Sequence, residues 1–134
     1  MKWLILLAIA LWSENGFSKE MSAKDLSREI LELKSYAAEA KLVLRNYRAG
    51  KVTAKFVKIH SEKAADALKD SEKKLEAPAS GNLEARRKRA HELARQLREG
   101  FQQLQTDLSD AAQVEALSGE FEQIYRALEG RPGA

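Results

Sequence analysis

His60 and His91 are the only two imidazoles in this 134-residue chain, and there is no cysteine. Imidazoles facing inward from packed helices can hold a metal or haem. Spacing argues against a shared site here. If the segments carrying them run antiparallel and turn near Ala79 and Ser80, His60 stands about nineteen residues from the turn and His91 about eleven, an axial offset of roughly 12 Å at 1.5 Å per residue. The Glu-x-x-His pattern of di-iron bundles is missing, because Val57 and Lys88 stand three residues before each histidine. His91-Glu92-Leu93-Ala94-Arg95 opens like a zinc-protease helix, but Arg95 replaces the second imidazole, and a cation there repels a metal. Without cysteine the chain has no thiolate zinc ligand, no anchor for covalent haem and no thiol nucleophile. Glycine-rich phosphate loops and nucleophile elbows are also missing from the sequence. The chain therefore reads as non-enzymatic, with no catalytic residues, no metal ligands and no cofactor.

Charge is a different matter. Lys and Arg number 23 against 20 Asp and Glu, a net charge of +3, but the balance is local. Between residues 41 and 61 stand Lys41, Arg45, Arg48, Lys51, Lys55 and Lys58 with no acid, a window of +6. Lys55 and Lys58 stand near the start of a helix, where cations oppose its dipole, so their placement does little for local stability and favours an anionic partner. Tyr47 and Phe56 flank the same window and are available to pack or to touch that partner. A secondary basic run, Arg86-Arg87-Lys88-Arg89, points in four directions about 100° apart if helical, so it is not one groove-reading face. Nucleic acid is not the expected partner of either cluster, because Lys2 and the apolar run from Trp3 to Trp12 mark the chain for export. Most carboxylates fall at solvent-facing positions. Glu84 with Lys88, Asp70 with Lys74 and Glu122 with Arg126 have the four-residue spacing that supports a helix by a few tenths of a kcal/mol per pair.

Four helices must position these groups. Apolar residues recur at Leu26, Ile30, Leu33, Ala37, Ala40, Leu44 and Tyr47 in steps of three and four, the mark of one buried stripe. Ser22 is placed to cap that helix and Gly50 to end it in a left-handed turn. Thr53 caps a second helix whose stripe, Val57, Ser61, Ala64, Leu68, Ser71 and Leu75, is thin and small-sided. Pro78-Ala79-Ser80-Gly81-Asn82 breaks the chain, with Asn82 available as the next cap. The third stripe is Ala90, Leu93, Ala94, Leu97, Phe101, Leu104 and Leu108; Gly100 is expected to weaken it by about 1 kcal/mol relative to Ala. The fourth, Val114, Leu117, Phe121, Ile124 and Leu128, is out of phase with the third, so a new helix starts at the Asp110 cap. The expected spans are about 23–49, 53–77, 83–107 and 110–129, with a flexible tail at 131–134. No strand pattern occurs. The fold expected is all-α, an up-down-up-down four-helix bundle over residues 19–130; the alternative is an antiparallel helical coiled coil completed by dimerisation, so the chain is a monomer or a homodimer.

The first 18 residues read as a signal peptide. Lys2 precedes an apolar run from Trp3 to Trp12, and a polar stretch follows. A run of about ten is too short to span a bilayer, which takes about 20 residues. Gly16 and Ser18 supply the small residues that cleavage before Lys19 requires. The mature form is thus expected without a transmembrane span, in the periplasm or outside the cell; an uncleaved leader would instead hold it at the inner membrane. In size, helicity, basic balance and export the chain resembles the small helical stress chaperones of the bacterial periplasm, although their Leu-Thr-x-x-Gln signature is absent and no residue role carries over. The function expected is that of an exported interaction protein, adaptor or chaperone-like, with a protein or anionic envelope component as partner. Binding of envelope polymers or lipid headgroups through the basic window is the alternative, and a ligand-binding bundle a further one. Trp3 and Trp12 are the chain's two tryptophans and both precede Lys19. The exported form should begin at Lys19 and show no indole absorbance; an indole signal in a periplasmic or extracellular preparation would show that processing had not occurred.

Overall fold

A computed structural model describes residues 20–130. The expected leader, residues 1–18, and the tail, residues 131–134, lie outside the described residues. Among those described there are four α-helices and no strand: α1 (Ala23–Arg48), α2 (Ala54–Lys74), α3 (Asn82–Gln103) and α4 (Ala111–Leu128). The arrangement is consistent with a four-helix bundle. No helix is long and apolar enough to cross a membrane, among the described residues.

Local chemistry sets the ends. Ser22 accepts from the Asp25 backbone N–H at 3.1 Å, Thr53 from that of Phe56 at 3.1 Å, and Asp110 from those of Ala112 and Gln113 at 3.0 and 3.4 Å. These bonds satisfy donors that a helix start leaves without partners. Asn82 does not cap α3. Gly81 occupies that position with φ +59°, and Asn82 is already helical. α3 also stops at Gln103 rather than near 107, because the Thr106 hydroxyl donates to the Gln103 carbonyl at 2.6 Å and Asp107 accepts from the Ser109 backbone at 2.9 Å. Such side-chain bonds to nearby backbone compete with continuing the helix. α2 likewise ends at Lys74, ahead of Pro78.

The stripes face one another. Leu26, Leu33, Leu44, Leu68, Leu97, Phe101 and Leu104 have no exposed surface, and Leu117 and Phe121 almost none. α1 packs most extensively on α4, and α2 on α3; α1 and α3 also meet across the bundle, whereas the backbones of α2 and α4 stay apart. Alanines in the middle of the α1 and α3 stripes, Ala37, Ala40, Ala90 and Ala94, are all buried and let those two backbones approach across the diagonal. The small-sided stripe of α2 permits its close packing on α3. The ends are tied by bonds from Met21 N–H to the Pro78 carbonyl at 2.8 Å and from the Tyr47 hydroxyl to the Leu108 carbonyl at 3.3 Å. The α1–α2 and α3–α4 turns therefore share one end, and the α2–α3 turn shares the other with the start of α1.

Gly100 proves to be a packing requirement rather than a weak point. A Cβ at this position would stand 2.8 Å from both Cε1 and Cζ of the buried Phe121 ring, which itself packs at 5.4 Å on Phe101. Steric conflict thus outweighs the helix preference of alanine. Gly119 lies on the exposed side of α4, where an added methyl group would meet nothing within 4 Å. Gly100→Ala should lower unfolding stability by about 1–3 kcal/mol, whereas Gly119→Ala should raise it by about 0.5–1 kcal/mol; denaturant titration of both variants checks the pair.

Candidate anion-binding tip

The basic window surrounds the α1–α2 turn, whose shape follows from Gly50. Its φ of +73° lets the Gly50 N–H reach the Tyr47 carbonyl at 3.0 Å and the Lys51 N–H reach the Asn46 carbonyl at 2.8 Å, the paired bonds of a Schellman ending. Thr53 starts α2 three residues later. Lys51 is thereby held on the turn, and Lys55, Phe56, Lys58 and Ile59 on the first turns of α2, all exposed. The first turn of α2 contains no acid, so its free N–H groups add positive potential to that of the lysines.

The six cations do not act as one cluster. Lys41 pairs with Glu122 and lies 4.7 Å from the centre of the Tyr125 ring, and Arg48 pairs with Glu115. Both therefore tie α1 to α4. Hydrogen bonds from Lys41 and from Arg126 hold the Glu122 carboxyl below the usual carboxylate range. Arg45 lies between them in a shallow groove with Ser118 and Gly119. Arg45, Lys51, Lys55 and Lys58 make no ion pair among the described residues. The two flanking aromatics also divide. Tyr47 is half-buried and bonded to the α3–α4 loop, while Phe56 is 48% exposed and Ile59 45%. Sequence reasoning missed Ile59, although it stands opposite Val57 and Ser61 on the wheel of α2 and so faces away from the core.

His60 belongs to the packing beneath this surface. Its ring stacks on Phe56 at 5.9 Å and tilts against Phe101 at 6.5 Å. Its Nε2 is buried without a hydrogen bond and lies 3.9 Å from Glu39. His91 is ten residues from Phe101 on α3, about 15 Å along the axis, so the two imidazoles occupy different layers. Among the described residues no group of three or more potential ligands could hold a metal ion. The Glu92 carboxylate that suggested a zinc-protease helix accepts from Arg95 and Gln96, which hold its pKa down at about 2.

The secondary basic run also separates by residue. Arg87 donates to the Leu75 carbonyl at 2.5 Å and to Glu84 at 2.9 Å, and Glu84 in turn accepts from the Ala79 backbone at 3.0 Å. Arg87, then Ala79, hold the Glu84 carboxyl at about 2. This knot closes the α2–α3 turn, and Arg87 rather than Lys88 is the partner of Glu84. Lys74 likewise turns to Glu29 at 3.6 Å rather than to Asp70, and only the Glu122–Arg126 pair forms as its spacing suggests. Glu29 is a buried acid that sequence reasoning missed. It is 6% exposed, and burial raises its pKa while Lys74 pulls it down. Its place three after Leu26 and four before Leu33 was the available signal. Arg86, Lys88 and Arg89 are exposed.

Comparison with protein-family models, with curated proteins and with solved structures finds no match. The functional reading therefore rests on the chain's own residues. Arg87→Ala strands a carbonyl and a carboxylate in the α2–α3 turn and should cost about 1–3 kcal/mol in denaturant unfolding. The same change at Arg86, Lys88 or Arg89 should stay within about 0.5 kcal/mol of the parent.

Proposed function

We propose that this chain is an exported, non-enzymatic helical-bundle interaction protein of the periplasm or cell envelope, adaptor or chaperone-like, which meets its partner through the α1–α2 tip. One observation carries the reading: exposed Phe56 and Ile59 stand among Lys51, Lys55 and Lys58, none of which has an ion partner among the described residues. Surface lysines without acids cost little, but lysines gathered at a helix start around uncovered apolar side chains gain stabilisation only from something outside the chain. The complementary partner is anionic and offers an apolar layer or pocket beside its charge.

Anionic lipid headgroups are the second reading, favoured by the position of Phe56 and Ile59 one turn apart between the lysines. Phe56 and Ile59 would enter the headgroup boundary while the ammonium groups stay at the phosphates. Each lysine near such a surface contributes about 1 kcal/mol. Co-sedimentation with phosphatidylglycerol vesicles should then be strong at low salt, weak at high salt and absent with phosphatidylcholine vesicles. The triple change of Lys51, Lys55 and Lys58 to Ala should weaken it roughly a hundredfold. Loss of vesicle binding together with Lys-dependent crosslinking to an acidic envelope protein would leave the interaction role and remove the lipid. Indifference of every envelope contact to salt and to the triple variant would remove the tip.

A further inference from the structure

At the end of the bundle remote from the tip, α1, α3 and α4 leave an open cleft of about 300 Å³. Its walls include Ile30, Ala90, Leu93 and Leu128, with Arg86 and Arg89 on its rim. The cleft has a local cause. Arg86 lies four residues before Ala90 and seven before Leu93, so the period of α3 assigns position 86 to the buried stripe, yet a guanidinium cannot be left in an apolar core without a partner. The short side chains of Ala90 and Ala127 do not fill the room left there. Unlike Arg87, neither Arg86 nor Arg89 forms an ion pair among the described residues.

We propose that this cleft binds a single-chain amphiphile with an anionic head, a medium-chain fatty carboxylate, with its tail against Leu93 and Leu128 and its head at Arg86 and Arg89. An apolar floor with a few convergent polar groups is the usual make-up of a small-molecule site, and the volume stands at the low end of the range of about 300–1,000 Å³, which selects one short chain over a two-chain lipid. Guanidinium groups offer paired donors that match a carboxylate. The site is separate from the α1–α2 tip and does not depend on it.

Calorimetric titration of the purified chain with decanoate and with decyltrimethylammonium tests this, the two ligands sharing a tail and differing in the sign of the head. Decanoate should bind one to one, and the cationic amphiphile about tenfold more weakly or worse. In the double variant Arg86→Gln, Arg89→Gln that preference should vanish, and Ala127→Leu should remove binding of both by filling the cleft. The triple change of Lys51, Lys55 and Lys58 to Ala should bind decanoate as the parent does. Equal binding of the two heads, unchanged decanoate binding in the double arginine variant, loss of binding in the lysine triple or no binding below micelle formation would each overturn the proposal. The two exposed arginines carry the decision should Ala127→Leu fail to fold, as read by circular dichroism.

Discussion

Close approach of the Phe121 ring to the backbone of α3 is the constraint on which the bundle depends. The ring occupies the space that any side chain at position 100 would take, and it bears on Phe101, so two of the largest buried side chains meet at one layer. Below and above that layer the interior is mostly leucine and alanine, with Val43, Val57, Val114, Ile124 and the buried serines of α2. Dispersion among such groups is individually weak and depends on contact without gaps, so the layer with the bulkiest residues fixes how near α4 can come to α3 and, through α1, the spacing of the rest.

Around this core some of the charged residues act as cross-ties between helices. Glu72 with Arg98 joins α2 to α3, Lys41 with Glu122 joins α1 to α4, and Lys74 with Glu29 joins α2 to α1. The partly exposed Lys41–Glu122 pair adds little by itself, but all three hold the rims of the same interfaces that the stripes close. The lysines of the α1–α2 turn have no such tie among the described residues, and they stand beside exposed Phe56 and Ile59.

The helices were legible because three- and four-residue steps survive any detail of packing. Val57, Ser61, Leu68 and Ser71 are buried as their spacing requires, and so are Val114, Leu117 and Phe121 in the phase that separates α4 from α3. The caps Ser22, Thr53 and Asp110 were equally readable, each needing only its own next three residues. Less legible was anything decided by a second helix. Position 100 reads as a helix-weakening glycine until Phe121 is laid over it, Glu84 reads as the partner of Lys88 until the Leu75 carbonyl draws Arg87 inward, and six cations read as one patch until α4 brings Glu115 and Glu122 against two of them. Periodicity along one helix cannot report which side chains a neighbour delivers. Glu29 was missed for a different reason: its register beside Leu26 and Leu33 was readable, but Ile30 took its place in the stripe read from sequence.

The rhombic cross-section, with α2 and α4 held apart, has a mechanical corollary. α2 leans on α3 and more lightly on α1, and its inner side is built of serines, alanines and few larger groups. It is therefore the leaf of the structure with the least oily surface to surrender on swinging outward, and Phe56 rests on its outer margin over the His60 ring. Force applied from outside at that margin acts on the helix whose inner face has the smallest side chains of the four.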